Sequence, residues 1–418
     1  MSRPHGAAAT LVRDVASAVL YLAPMQGLLT LISFIAISRL DASVAWVGIL
    51  GSAGYWGQLW NLALGRVTAK VDLGAGLALI MAAQGLLLAA AALQHSLLPY
   101  AVLMIPMLVL FGLYEVQYAT LVPHLYRPEE RPRALGVRNF AVAAGTALLA
   151  ALFGRFSSGA AGHTPVFLLA GLAMVAAGLV FRGIRPAGPG PEAPAAPRMP
   201  VLRLREIAGV LFGSRDGAVL PAHRHAFRRL ALVLVLYGWY GAGLGTMLVV
   251  VYDRLGFDEW RVGLLAAVAT LGTLLSSLLV APRLRLLGGT TNFRLCFGAS
   301  LVSAVLLVVA VLFVAGPPVF WVLVASQLAM GIGVTGFVLG THTAALNIAP
   351  AGREALFVNA MMVVLGLRGM LIPLLVAAVI RAAGVEWAAL VSLLCVLCCT
   401  ALVVFPGAER ERLPGVRD

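Results

Sequence analysis

Residues 182–200 read RGIRPAGPGPEAPAAPRMP, a stretch so rich in proline and glycine that no intact helix can run through it. Six long apolar runs precede this stretch and six follow it. The sequence therefore predicts two halves joined by a linker. We place the N-terminal half at 1–182, the linker at 183–228, the C-terminal half at 229–406 and a tail at 407–418.

The composition identifies the medium in which these runs fold. The chain has 418 residues, of which 61% are hydrophobic and 11% are charged, whereas soluble domains carry about 25% charged residues. Each run has the roughly 20 residues that a membrane-spanning helix needs. We therefore predict an all-α membrane protein with twelve transmembrane helices, near 15–38, 44–65, 73–94, 99–122, 135–154, 164–182, 229–252, 260–281, 292–315, 318–344, 354–380 and 385–405.

The basic residues predict the orientation of these helices. With the N-terminus in the cytoplasm, few of the 30 lysines and arginines fall in outer segments; these are Arg39, Arg155, Arg254, Arg261 and Arg381. An excess of basic residues inside is the usual rule, so we expect both termini in the cytoplasm. Contact with an anionic inner leaflet accounts for the net charge of +13, and no nucleic-acid partner is expected. The preference for arginine and alanine is typical of a bacterial genome rich in G and C, so we expect the membrane to be a bacterial inner membrane.

Two cytoplasmic stretches repeat one pattern. YRPEERPRALGVRN (126–139) follows the fourth run and NIAPAGREALFVNA (347–360) follows the tenth. Each carries a proline, an arginine and an asparagine at the mouth of the next helix, and Arg133 corresponds to Arg353. Parallel six-helix repeats are typical of one class of transporter. Within the linker, VLRLREIAGVLF (201–212) has the spacing of an amphipathic helix on the membrane surface.

Over nearly its whole length, the chain resembles the major facilitator superfamily. That family carries G-x-x-x-D-R-x-G-R-R/K after its second helix; here Gly65 and Lys70 fit, whereas Ala69 replaces the aspartate. In the corresponding loop of the second half, Arg285 is kept and the acid is lost. The resemblance implies two six-helix bundles around a central cavity. It also implies a cytoplasmic gate, to which we assign Lys70, Arg133, Arg285 and Arg353.

The resemblance places the first, fourth, seventh and tenth helices along the cavity. Their polar residues are candidates for binding the solute, although such side chains also link helices to one another. The glycines around residues 237–245 could break the seventh helix. Thr270, Thr273 and Ser277 are interpreted as a packing seam between the halves. The candidates for the cavity lining are Gln26, Thr30, Ser33, Tyr118, Tyr237, Tyr240, Gln327, Thr335 and His342.

The sequence places two charges well inside the predicted spans, Glu115 and Arg368. A charge at mid-membrane costs at least ~2.5–3.5 kcal/mol and usually faces a cavity or a partner. Both residues are expected near half-depth, where opposite charges could pair across the two halves. Glu115 could therefore be a proton carrier, a counter-ion for the solute, or half of a structural ion pair.

These patterns predict a monomeric secondary transporter that moves a small solute by alternating access, with proton coupling and with export as one possible direction. The alternative is a transporter-shaped sensor or scaffold that binds a ligand without moving it. No enzyme motif is present, so we expect no enzyme; a lipid-modifying enzyme would need a catalytic cluster. The four cysteines have no histidine or carboxylate at ligand spacing, so no metal or cofactor is expected.

Overall fold

A computed structural model describes residues 5–68, 72–126, 130–159, 162–184, 209–210, 221–279, 284–350 and 353–404. Apart from residues 209–210, which are helical, the regular structure in these ranges consists of thirteen helices, and no strand occurs in them. The first six are α1 (His5–Leu40), α2 (Val44–Thr68), α3 (Leu73–Ala91), α4 (Leu97–Leu125), α5 (Arg131–Ser157) and α6 (Thr164–Arg182). The others are α7 (Pro221–Gly241), α8 (Leu244–Arg254), α9 (Glu259–Leu279), α10 (Leu284–Leu312), α11 (Pro318–Ile348), α12 (Glu354–Ala383) and α13 (Val385–Val404).

The helices match the predicted all-α membrane fold. Among the described residues, eleven spans are long and apolar enough to cross a membrane, and the 25-residue α2 has the length of a twelfth. The predicted division between the fifth and sixth spans is confirmed, because α5 ends at Ser157 and α6 begins at Thr164. The predicted amphipathic helix at 201–212 lies outside the described residues, except for Gly209 and Val210.

The seventh span is broken where the glycines predicted a break. α7 ends at Gly241, and α8 begins three residues later at Leu244. The amides of Ala242 and Gly243 both donate to the carbonyl of Gly238, at 2.8 and 3.2 Å. One acceptor thus serves two donors, and the regular hydrogen-bond pattern of the helix is interrupted. α7 and α8 nevertheless belong to one apolar span, 223–254.

The chain forms two compact units. The first contains Met1–Val201 and Leu248–Leu271, and the second contains Leu202–Met247 and Gly272–Asp418. The first unit therefore holds α1 to α6 together with most of α8 and the first part of α9. The expected division at the central linker stays a prediction, and the structure adds that residues 248–271 pack with the first six helices.

Within the first unit, α2 and α4 cross at glycines. A Cβ atom on Gly57 would lie 1.8 Å from the carbonyl oxygen of Val109, and one on Gly112 would lie 1.7 Å from that of Gly54. Such distances are possible only because glycine has no side chain. Small residues at membrane helix contacts let backbones approach closely in this way, and here they bring Gln58 on α2 beside Glu115 on α4.

Within the second unit, α9 packs against α11 through hydroxyl groups. Thr273 donates to the carbonyl of Gly331 at 3.3 Å, and Ser276 donates to that of Ile332 at 3.2 Å. Thr270 instead donates to Ala266 of its own helix. Of the residues interpreted as a seam between the halves, Thr273 thus bonds a carbonyl of its own half and Thr270 one of its own helix, and the interpretation of the stripe as a seam stays a prediction.

Candidate functional site

Glu115 lies on the second half of α4 and is exposed. The amide of Gln58 donates to its carboxylate at 3.1 Å. At about 100° of rotation per residue, Glu115 lies about 100° around the helix from Leu98 and about 140° from Val102, two highly exposed apolar side chains. Glu115 is therefore on a different face from this apolar row.

The face that carries Glu115 changes its surroundings along α4. Met104 and Leu108 lie on the same side of the helix, three and two turns before Glu115, and both are buried. Ala119, one turn after Glu115, is exposed. This side of α4 is thus covered by protein in its first part and uncovered around the glutamate.

Arg368 lies within α12 and is half-buried. Its guanidinium donates to the carbonyl of Leu234 at 2.6 Å and lies 5.0 Å from the centre of the Phe337 ring. The aliphatic part of its side chain packs on Gly238, where a Cβ atom would lie 2.9 Å from Arg368 Cδ. The pairing of Arg368 with Glu115 stays a prediction.

A second pair of charges lies inside the first unit. Asp14 on α1 is fully buried and Arg138 on α5 is 5% exposed, and Arg138 Nε lies 3.5 Å from Asp14 Oδ1. The statement that Glu115 and Arg368 are the only charges well inside the spans was therefore wrong. α1 and α5 begin before the predicted spans, so that Asp14, one residue before the first span, and Arg138, near the start of the fifth, face each other inside the bundle.

Tyrosines of the fourth helix and its end complete this buried cluster. The hydroxyls of Tyr118 and Tyr126 donate to Asp14 Oδ2 at 2.7 and 2.6 Å. Arg138 donates to the hydroxyl of Tyr114 at 2.9 Å, and its guanidinium lies 3.8 Å from the centre of the Tyr118 ring. Two tyrosine hydroxyls and the guanidinium of Arg138 therefore surround the side chain of Asp14. The signal in the sequence was the position of Arg138 inside the predicted span 135–154.

The remaining candidates of the first unit lie in different environments. Gln26 and Thr30 on α1 are half-buried, and Gln26 accepts a hydrogen bond from Thr146 at 3.4 Å. Ser33 is buried, as is Tyr118. The structure thus brings Tyr118 to Asp14 rather than to the exposed face of α4, and the cavity-lining role of these four residues stays a prediction.

In the second unit, Tyr237 and Tyr240 are buried in an aromatic cluster. The ring of Tyr237 stacks on that of Phe337 with centres 4.0 Å apart, and its hydroxyl lies 3.0 Å from that of Ser300. Gln327 is buried, and the hydroxyl of Thr335 is bonded to backbone carbonyls. The side chain of His342 lies outside the described residues, so its predicted role is untested.

The predicted gate residues are placed in part. Arg133 is exposed in the first turn of α5, and Arg353 is exposed at the residue before α12. Arg133 is thus three residues further into its helix than Arg353, and the repeat relation and the gate role of the two arginines stay predictions. Lys70 and the side chain of Arg285 lie outside the described residues. Among the described side chains, no group of three histidines, cysteines or carboxylates is close enough to hold a metal ion.

No family model and no curated protein matches this sequence. Solved structures do match its fold. A POT family transporter in complex with 5-aminolevulinic acid has a TM-score of 0.72 at 14% identity, over 97% of this chain and 96% of the other. The human organic anion transporter MFSD10 (TETRAN) has a TM-score of 0.64 at 17% identity, over 96% of this chain and 100% of the other.

The xylose transporter XylE from E. coli is similar as well, with a TM-score of 0.65 at 11% identity, over 94% of this chain and 95% of the other. All three are transporters, and each covers nearly the whole chain. At identities this low the likeness is one of fold, and it agrees with the helix count and with the resemblance read from the sequence. The chain therefore has the fold of these three transporters.

Proposed function

We propose that this protein is a secondary transporter, which carries a small solute across a bacterial inner membrane by alternating access and couples this movement to protons at Glu115. The observation that carries the proposal is the position of Glu115, on an uncovered face of α4 and away from its apolar row. A carboxyl group inside a membrane costs free energy, and residues of this kind usually mark a functional site.

The partner of Glu115 suits a group that gains and loses a proton. The side-chain amide of Gln58 donates to the carboxylate. If that amide group rotates by 180°, its carbonyl oxygen can accept a hydrogen bond from the protonated acid. Asp14, by contrast, is surrounded by an arginine and two tyrosine hydroxyls. Of these two carboxyls, Glu115 is the exposed one, and its hydrogen bond comes from a neutral amide.

The other predicted residues have places in this proposal. The cavity candidates would bind the solute, and Arg368 would act as a counter-charge to Glu115 or to the solute. Arg133 and Arg353, with Lys70 and Arg285, would close the cytoplasmic side, because arginines beside helix ends can reach carboxylates and terminal carbonyls. Both termini would lie in the cytoplasm, and the protein would act as a monomer.

The test compares Glu115→Gln with the wild type in proteoliposomes. A thermal-shift screen of organic anions, short peptides, nucleosides and sugars first selects the solute. We expect Glu115→Gln to keep ligand binding and solute exchange, because glutamine has nearly the same shape, and to lose pH-driven accumulation. Glu130→Gln, which changes an exposed carboxylate just before α5, is the control and should accumulate solute normally. Uphill transport at the wild-type rate by Glu115→Gln would exclude this role.

The alternative function, a sensor or scaffold with a transporter fold, has a distinct outcome in the same experiment. Such a protein would bind its ligand in the thermal-shift assay but would give no solute flux with or without a pH gradient. Headgroup turnover by the purified protein would instead indicate a lipid-modifying enzyme.

A further inference from the structure

An ion pair joins α1 to α9 at the end of the first unit opposite to the N-terminus. Arg39, one residue before the end of α1, pairs through its Nε with Oε1 of Glu259, the first residue of α9. The same guanidinium donates to the carbonyl of Ser157 at the end of α5, at 2.8 Å. One arginine thus holds the ends of three helices, and its sequence separation from Glu259 is 220 residues.

The helices beneath this ion pair touch at glycines. A Cβ atom on Gly154 of α5 would lie 2.4 Å from the carbonyl oxygen of Glu259, and one on Gly263 of α9 would lie 2.4 Å from that of Ala150. Glu259 is 7% exposed and Ser157 is buried. The contact is therefore tight, and the charge of Glu259 is shielded from water, which strengthens its attraction to Arg39.

His163 lies beside this contact and is 5% exposed. Its ring packs against Tyr100 of α4 and Phe167 of α6, with centres 6.3 and 5.2 Å away. Its Nε2 is buried, and none of the described residues bonds to it. The preceding residue, Gly162, approaches the guanidinium of Arg39, where a Cβ atom would lie 2.7 Å from Nη1.

The charged groups around His163 set the direction of its pKa. The pKa of His163 is lowered by burial, then by Arg39 and then by His95, whereas Glu259 raises it. Together these effects hold the pKa below its ordinary value of 6.5. The neutral ring thus fits the closed contact. If opening the contact returns the ring to its ordinary pKa of 6.5, the open form binds a proton at a higher pH than the closed form. As the pH falls from 6.5 through the lowered pKa of the closed form, acid therefore favours opening.

We propose that Arg39, Glu259 and Ser157 form a latch that holds the outer end of the transporter closed, and that protonation of His163 releases it. The inference rests on the proposed function, since alternating access requires an outer end that opens. It adds that an acidic exterior opens that end, as proton entry from outside requires.

The latch can be tested by a distance, without any solute. Cysteines at Ser158, the residue after α5, and at Arg261 of α9 would carry spin labels in a variant without native cysteines, and the distance between the labels would be measured in nanodiscs at pH 7.5. A charge-assisted hydrogen bond contributes enough that its loss should raise the open fraction about tenfold or more. Glu259→Gln and Arg39→Gln should therefore lengthen the distance, and the double exchange Arg39→Glu, Glu259→Arg should restore it.

Arg155→Gln is the matched control, because Arg155 is an exposed arginine at the same end of α5, and its removal should leave the distance unchanged. For the pH response, the wild type should shift towards the longer distance between pH 7.5 and 5. His163→Gln should abolish this shift, whereas His95→Gln, at an exposed neighbouring histidine, should keep it.

The proposal is overturned if Glu259→Gln keeps the wild-type distance, or if His163→Gln retains the full acid response. The failure of the proposed function looks different. A protein that opens and closes in these measurements but gives no solute flux in liposomes would have the latch without being a transporter. Normal flux with an unchanged distance in Glu259→Gln would exclude the latch alone.

Discussion

Two carboxylates of the first unit, Asp14 and Glu115, have opposite surroundings. Asp14 is fully buried and accepts hydrogen bonds from two tyrosines beside Arg138, whereas Glu115 is exposed and bonded to one neutral amide. The first arrangement is complete in itself and holds α1, α4 and α5 together. The second leaves the carboxylate open to a proton or a solute. The proposed function therefore gives Asp14 a structural role and Glu115 a role in transport.

This assignment predicts different consequences of neutralising each residue. Asp14→Asn would leave Arg138 buried without its countercharge, which costs about 3–5 kcal/mol. We expect a clear fall in the melting temperature of the purified protein, measured by tryptophan fluorescence. The double variant Asp14→Asn, Arg138→Gln should recover part of the loss, because no unpaired charge remains.

The exposed Arg133, changed to glutamine, is the control and should melt like the wild type. A Glu115→Gln variant should also keep its melting temperature within the range of a surface substitution, about ±0.5 kcal/mol. If Asp14→Asn melted normally while pH-driven accumulation stopped, the structural role of Asp14 would be refuted. The role in proton coupling would then be assigned to Asp14.

At the scale of elements, the crossing of α2 and α4 positions Gln58 beside Glu115. The contact depends on Gly57 and Gly112, because any Cβ atom there would overlap a backbone carbonyl. Gly112→Ala should therefore push the two helices apart and separate the amide of Gln58 from the carboxylate. Overpacking of this kind costs about 1–3 kcal/mol.

The measurement is the melting temperature of Gly112→Ala compared with Gly136→Ala. A Cβ atom on Gly136 of α5 would meet nothing within 4 Å, and alanine is the better helix former. We expect the first variant to lose stability and the second to lose none. Equal melting temperatures for both variants would show that α2 and α4 accommodate the added methyl group without loss of stability.

At the scale of the whole molecule, the distribution of arginine predicts the orientation in the membrane. Basic residues favour the cytoplasmic side of a bilayer, and few of the 30 lie in the predicted outer segments. Alkaline phosphatase, which is active only outside the cytoplasm, should therefore be inactive when fused to the C-terminus. A fusion after Ser158, following five helices, should be active. High activity of the C-terminal fusion would reverse the topology.

Much of the architecture follows from local rules that a sequence displays directly. Hydrocarbon offers no partners for backbone groups, so every crossing segment must be a long apolar helix. For that reason the approximate positions of the spans, the division before Thr164 and the break at Gly241 were predictable, whereas the early starts of α1 and α5 were not. Glu115 was also visible, because a carboxylate in an apolar run is conspicuous whatever lies beside it.

The partners of the charged residues were decided by the tertiary structure. Asp14 and Arg138 lie at the ends of apolar runs, where a charge normally meets water, and only the packing of α1 against α5 and α4 buries them. Arg39 and Glu259 are likewise unremarkable loop-end charges until the folded chain joins them across 220 residues. Hydrophobic periodicity specifies which segments become helices, whereas the partner of each side chain depends on contacts between helices that are distant in sequence.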